Sequence, residues 1–325
     1  MSGNSRSNIG FFKRLKPQVY SDSQSYNSEI VLISINPVGN NVVNSRTDGS
    51  LRIWRSSSDR LTEAKTIDKP HERPVESVSW NPKTEYTFAT VGKDKNIKIW
   101  RAIASTPDKI ITVQKNDNTP VILKLVKYSA NGDLLAVVDK DSTVVIYSTK
   151  DYKKLCEIKL HEYIYSFEWF NSGDLFIVGF HDGSSHIYKY YNEEIILKKQ
   201  LLGHKSSITS TVIDPRGTYI FIGSNEGVAS LWSTSTLLPE KVITDVDESI
   251  SCVACSRDGT YVGVCYDGDI PLKIYDSSST EMMLEISNAK PGKQVAPSIQ
   301  WFPNKTAFIY TSDDCKTMTY MIKSD

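Results

Sequence analysis

Residues 71–100 read HERPVESVSWNPKTEYTFATVGKDKNIKIW. Polar and apolar residues alternate from Val75 to Trp80 and stop at Asn81-Pro82. A second run, Tyr86 to Thr90, leads into a turn at Gly92-Lys93-Asp94-Lys95-Asn96, and a third runs from Ile97 to Trp100. Ile110 to Gln114 supplies a fourth. Short runs of period two, bounded by Asn, Pro, Gly and Asp, are strands joined by tight turns. One small antiparallel sheet cannot bury both of its faces alone. It must stack on copies of itself.

The copies are in the chain. An acidic residue is followed six positions later by a large aromatic at Asp48/Trp54, Asp94/Trp100, Asp141/Tyr147, Asp182/Tyr188, Glu226/Trp232, Asp269/Tyr275 and Asp314/Tyr320. The aromatics are 46, 47, 41, 44, 43 and 45 residues apart. Apolar pairs such as Leu51 and Ile53, or Ile97 and Ile99, alternate toward the aromatic, as on a strand with one buried face. A hairpin turn recurs as SINPVGN (34–40), YSANGDL (128–134), WFNSGDL (169–175), IDPRGTY (213–219) and CSRDGTY (255–261), with a last copy at Trp301 to Lys305. Seven repeats of this length predict an all-β, seven-bladed β-propeller.

Too few residues follow Tyr320 for a fourth strand in the last repeat. Leu15-Lys16-Pro17-Gln18-Val19-Tyr20 is left over at the other end. The expectation is that this N-terminal segment becomes the missing outer strand, closing the propeller and covering an exposed sheet edge. Residues 1–14 are rich in Ser and Asn and are expected to be disordered, with 15–325 forming a single propeller.

Bulk composition narrows the function. The 38 basic and 38 acidic residues cancel, whereas a dedicated nucleic-acid binder carries a basic excess. Five cysteines, few and odd in number, fit a reduced intracellular compartment. Residues 1–20 contain no apolar core of signal-peptide length, and no run of about 18 apolar residues appears. A soluble chain without a standard secretion signal or membrane segment is expected.

Motifs for chemistry are weak. Cys252-Val253-Ala254-Cys255 lies on a strand, where alternation sends the two thiols to opposite faces, and no second pair completes a zinc site. His161, His181, His186 and His204 form no recognisable ligand set. No nucleophile elbow, zinc-protease or phosphate-loop motif is present. Catalytic, cofactor-binding and metal-binding residues are therefore expected to be none. Lys13-Arg14-Leu15-Lys16, Lys150 with Lys153-Lys154, and Lys198-Lys199 read as solvated surface. Tyr163, Tyr165, Phe167 and Trp169 are spaced by two and are expected on one face, turned to the core. Tyr163 and Tyr165 lie nearest the loop end, as partly exposed anchors. Arg46, Lys93, Tyr163, Tyr165 and Phe180 make the candidate contact surface.

The repeat resembles the WD40 family, most fully in residues 71–100, where His71, Thr90, Asp94 and Trp100 stand at the family's His, Ser/Thr, Asp and Trp positions. The resemblance implies a structural relay from indole to hydroxyl to imidazole to carboxylate. Buried polar groups require such partners in any case. In other repeats the hydroxyl position reads Val137, Val178, Ile222 or Tyr310, which leaves those relays incomplete. The stretches SRTDGSLRIW (45–54), YSFEWFNSGDLFIVGFHDG (165–183), IDPRGTYIFIGSNEGVASLW (213–232) and IQWFPNK (299–305) further resemble the WD-repeat subunits of the THO complex. That resemblance implies a nuclear, non-catalytic propeller docked on helical scaffold subunits. It also implies coupling of transcription to mRNA export, indirect partnership with a DEAD-box RNA helicase, and at most weak contact with RNA. The alternative is another WD40 scaffold, such as a ubiquitin-ligase substrate receptor or a chromatin-peptide reader.

Overall fold

The computed structural model describes residues 10–21, 28–57, 59–114, 120–268, 270–287, 297–312 and 314–323. Their strands form seven four-stranded antiparallel sheets, the blades of an all-β, seven-blade β-propeller. Blade two shows how sequence makes the unit. Its strands are Ser77–Trp80, Thr87–Val91, Asn96–Arg101 and Lys109–Thr112, paired in that order. Asn81 Oδ1 accepts the Lys83 amide and so holds the first turn. In blade five Asp214 does the same for the amides of Thr218 and Tyr219, at 2.6 and 3.2 Å. Gly217 within that turn has φ +70°, a backbone state that side chains with a Cβ resist.

Backbone proximity divides the chain into two compact units. One, built on 30–56 and 62–208, carries the first four blades. The other, built on Thr209–Asp325 with short segments from 57–61 and the N-terminal region, carries the last three. In the first unit, Ala136, Val138, Val144 and Ile146 of blade three pack with Phe167, Trp169, Phe176 and Val178 of blade four. Phe167 and Phe176 stack at 4.8 Å, and Phe176 stacks on Tyr188 at 5.5 Å. Each large apolar side chain buried this way contributes roughly 1.5–3 kcal/mol. Second strands such as Asn41–Arg46 and Leu134–Asp139 are buried at every position. Both of their faces are covered, so their sequences carry little alternation.

In the second unit, Leu15–Tyr20 pairs antiparallel with Thr317–Lys323, from Leu15 opposite Lys323 to Tyr20 opposite Met318. The N-terminal segment is thus the outer strand of blade seven, as its sequence predicts. The expectation of disorder through residue 14 is corrected for residues 10–14. Residues 10–12 are helical, and the Arg14 amide donates to Phe11 O at 3.0 Å. Phe12 is 2% exposed and meets Tyr261 edge to face at 4.8 Å. Its apolar ring, set among polar residues, finds the core. Residues 1–9 lie outside the described residues.

Candidate interaction site

The WD-type relay of blade two is complete. Trp100 Nε1 donates to Thr90 Oγ1 at 2.8 Å, and Thr90 Oγ1 lies 2.7 Å from His71 Nε2. His71 Nδ1 lies 2.9 Å from Asp94 Oδ2. One tautomer satisfies every member: the Thr90 hydroxyl donates to Nε2, and Nδ1–H donates to Asp94. Asp94 Oδ1 also accepts the Asn96 amide at 2.8 Å, which pins the turn. Burial alone would raise the Asp94 carboxyl. The His71 ring and the amides of Asn96 and Glu72 outweigh it and hold the group below its ordinary 3.8. The polar side-chain atoms of His71, Thr90, Asp94 and Trp100 are all bonded to neighbours, so the relay holds the blade together and offers nothing outward.

Other blades solve the same problem with different residues. In blade six, Tyr275 donates to Asp245 Oδ2 at 2.8 Å, Tyr266 OH lies 3.2 Å from Tyr275 OH, and Lys273 Nζ reaches Asp245 at 3.3 Å. Burial pushes the Tyr266 phenol up to about 12. In blade five, Trp232 Nε1 donates to Ser230 Oγ at 2.7 Å. Two positions inferred from spacing are corrected. In blade three the turn acid is Asp139, whose Oδ1 accepts the amides of Asp141 and Thr143 at 2.9 and 2.8 Å. In blade seven the residue opposite Met318, matching Thr90 opposite Lys98, is Thr311 and not Tyr310. The partner strands are therefore not all reached by turns of one length, and a fixed count misses by two residues in blade three and by one in blade seven. Asp269 lies outside the described residues.

The exposed chemistry is elsewhere in the first unit. The innermost strand of blade four, Ile164–Trp169, pairs Ile164 with Phe180 and Ser166 with Gly179. Tyr165 is the extra residue of a β-bulge, which re-aims its side chain. The innermost strand of blade three, Leu123–Tyr128, bulges in the same way at Lys124. The two bulges bring Lys124 and the tyrosines together. Lys124 Nζ lies 4.1 Å from the Tyr163 ring centroid and 5.5 Å from that of Tyr165, and it donates to Tyr163 OH. The two tyrosine rings meet edge to face at 5.0 Å. Tyr165 stacks on His181 at 5.8 Å, with 26° between the planes. The His181 amide donates to Tyr163 O at 2.9 Å, and its Nδ1 lies 2.8 Å from Ser207 Oγ. Tyr163 and Tyr165 are 38% and 40% exposed.

This placement divides the five candidate contact residues. Tyr163 and Tyr165 come together on the surface. Lys93 is exposed and paired with Glu76 at 2.9 Å, and its amide donates to the carbonyl of Leu123 at 3.2 Å. Arg46 and Phe180 are each 1% exposed, which corrects their reading as loop-end contacts. Both end the second strand of a blade, opposite Ile30 and Ile164 respectively, and at that position the side chain turns inward. Phe180 lies edge to face with His186 at 4.7 Å. The shared face expected for Tyr163, Tyr165, Phe167 and Trp169 fails at the bulge. Phe167 and Trp169 are buried at 3%, and the tyrosines are not. Lys124 and His181 were missed, because neither carries a local motif.

Cys252 and Cys255 point to different cores, Cys252 with Ile299 and Trp301, Cys255 with Val253 and Val262. Burial raises the Cys265 thiol well above its ordinary range, away from thiolate chemistry. Among the described residues no group of three metal-ligating side chains assembles. A hollow of about 180 Å³ opens beside Ile111, Val137, Val145, Lys154 and Glu157, and its one buried acid, Asp139, is committed to the turn.

Residues 63–101 and 196–233 match the family described as WD domain, G-beta repeat. The first match spans the complete relay. The chain carries WD40 repeats. Residues 126–214, which include the Tyr165 bulge, also match the Anaphase-promoting complex subunit 4 WD40 domain. Among WD40 and related proteins, the chain is 23% identical to THO complex subunit 3 of Arabidopsis thaliana over 313 residues. That is 93% of this chain and 91% of that protein. It is 23% identical to Protein TEX1 of Saccharomyces cerevisiae over 312 residues, 92% of this chain and 73% of that protein. WD repeat-containing protein AAC3 of Dictyostelium discoideum is 26% identical over 247 residues, 69% and 50% of the two chains.

Proposed function

We propose that this WD40 chain is a non-catalytic scaffold subunit of a THO-type complex in the nucleus. It docks on helical scaffold subunits through rigidly held loops and acts in mRNA export. A DEAD-box RNA helicase is an indirect partner, and RNA is contacted at most weakly. Residues 15–325 act as one propeller. Loops already fixed by tight turns lose little freedom on binding, so contact area converts efficiently into affinity.

The observation that carries this reading is the end-to-end likeness to THO complex subunit 3, over 93% of one chain and 91% of the other. A shared repeat would match in patches. The buried, mutually satisfied relay and the exposed Tyr163–Tyr165 pair support a binding role over a chemical one.

Affinity purification of the tagged chain from the cells that make it, followed by mass spectrometry, tests the proposal. Recovery of THO subunits in near-equal amounts is expected. Recovery of a cullin adaptor or of histones in their place would overturn it.

A further inference from the structure

Resting on the reading of this chain as a docking subunit, we propose that Lys124, Tyr163, Tyr165 and His181 receive an acidic side chain flanked by apolar ones on a partner protein. Two tyrosines held together on a surface invite the guess of a cation receptor. The geometry argues against it. Lys124 already lies over the Tyr163 ring at 4.1 Å and near the Tyr165 ring at 5.5 Å. The faces that would attract an arginine or a methylated lysine hold a resident cation, and a second positive charge would meet it directly. Charge complementarity therefore selects an anion.

Among the described residues Lys124 forms no ion pair, whereas nearby cations do. Lys127 is paired with Glu168 at 2.7 Å and Lys140 with Asp141 at 3.3 Å. Lys124 keeps its charge for a ligand. Beside it, Ser207 Oγ donates to His181 O at 3.1 Å and accepts the Nδ1 proton at 2.8 Å, which fixes the ring as the platform on which Tyr165 stacks. Two acids adjoin the site in sequence, Glu162 next to Tyr163 and Asp182 next to His181. Asp182 is committed to the Ser184 amide and hydroxyl at 2.9 and 2.7 Å. Glu162 is exposed beside Tyr163 and disfavours a run of acids. One carboxylate for Lys124, with apolar neighbours lying on the two exposed rings, fits this arrangement best. Such rings are rigid, partly apolar anchors. A phosphate backbone would bring many negative charges past Glu162 and suits the site less well.

The test is a phage-displayed library of 12-residue peptides panned against the folded full-length chain, with recovered peptides measured by fluorescence anisotropy. The variants are Tyr165→Ala, Lys124→Glu and Lys124→Gln, each first shown to melt with the wild type. The expected consensus has one Asp or Glu between apolar residues. Binding should weaken at least tenfold in Y165A and K124E, and less in K124Q. A basic consensus, no consensus, tighter binding of an oligouridine RNA probe through Lys124, or affinities that the variants leave unchanged would overturn the proposal. Panning requires no THO subunit. A chain that co-purifies with those subunits yet selects basic peptides refutes this inference alone.

Discussion

Tyr165 and Lys124 occupy the same bulged position in the innermost strands of blades four and three, and their side chains meet at 5.5 Å. A β-bulge adds one residue to one strand and turns it out of the alternating pattern. Repeating the bulge in two blades converts a feature of the backbone into a shared surface. Blades one and six bulge at the equivalent residues, Val31 and Ser251. In blade six the small Ser251 hydroxyl is absorbed by Pro297 O at 2.6 Å. In blades three and four the larger side chains at this position, Lys124 and Tyr165, face outward together.

Asp94→Ala is expected to destabilise the fold and to leave the Tyr163–Tyr165 surface intact. The substitution deprives His71 and the Asn96 amide of their acceptor. Loss of one member of a buried network costs about 1–3 kcal/mol. Urea titration should show a lower midpoint. A variant of wild-type stability that has lost partner binding would place Asp94 in an interface instead.

The same carboxylate predicts a direction with pH. Its folded value is depressed below the ordinary 3.8. The group is then ionised in both states above that value, and its stabilising contribution is fully present there. As pH falls through 3.8 toward the folded value, the unfolded chain takes up the proton first, and the contribution is lost. Thermal melts from neutral pH down to the acid range should separate wild type from Asp94→Asn at neutral pH and bring them together in acid. Curves that stay parallel would remove Asp94 from the account.

Phe12→Ala is expected to loosen the end of blade seven. Phe12 is buried against Tyr261, just before the strand that pairs with Thr317–Lys323. Truncating a buried Phe costs about 3–5 kcal/mol in a core, and somewhat less where the site can collapse. Deleting residues 1–22 removes that strand as well and should lower the melting temperature or cause aggregation through the exposed edge. Unchanged melting and solubility in the truncated chain would contradict both expectations.

The strand order was legible in the sequence because an acid, an alternating run and an aromatic recur at a near-constant interval. The relay of His71, Thr90, Asp94 and Trp100 was legible because all four residue types are present at their positions. Side-chain exposure was not. Arg46 and Phe180 end strands whose two faces are both covered, so alternation carries no sign of which way they point. The Tyr165 bulge is set by backbone pairing with Phe180 and Gly179, and no residue type announces it. Lys124 and His181 join the tyrosines from separate strands and turns, a proximity only the fold creates.

Binding to RNA by the isolated chain is expected to be weak. With 38 basic and 38 acidic residues there is no general attraction to phosphate. Non-specific binders with several phosphate contacts show Kd values on the order of 10⁻⁴–10⁻⁶ M at physiological salt, and this chain should fall at the weak end or beyond. Anisotropy with a labelled single-stranded RNA across a salt series measures it. Submicromolar affinity with a steep salt slope would show a true basic patch around Lys13, Arg14 and Lys16.

The most direct test of the central claim is reconstitution. The chain is co-expressed with the long helical subunits of the THO complex from the same organism and resolved by size-exclusion chromatography with mass measurement. The account predicts a stable complex containing this chain in fixed stoichiometry, weakened by Y165A or K124E. A well-folded chain that elutes alone in the presence of every helical subunit would contradict it.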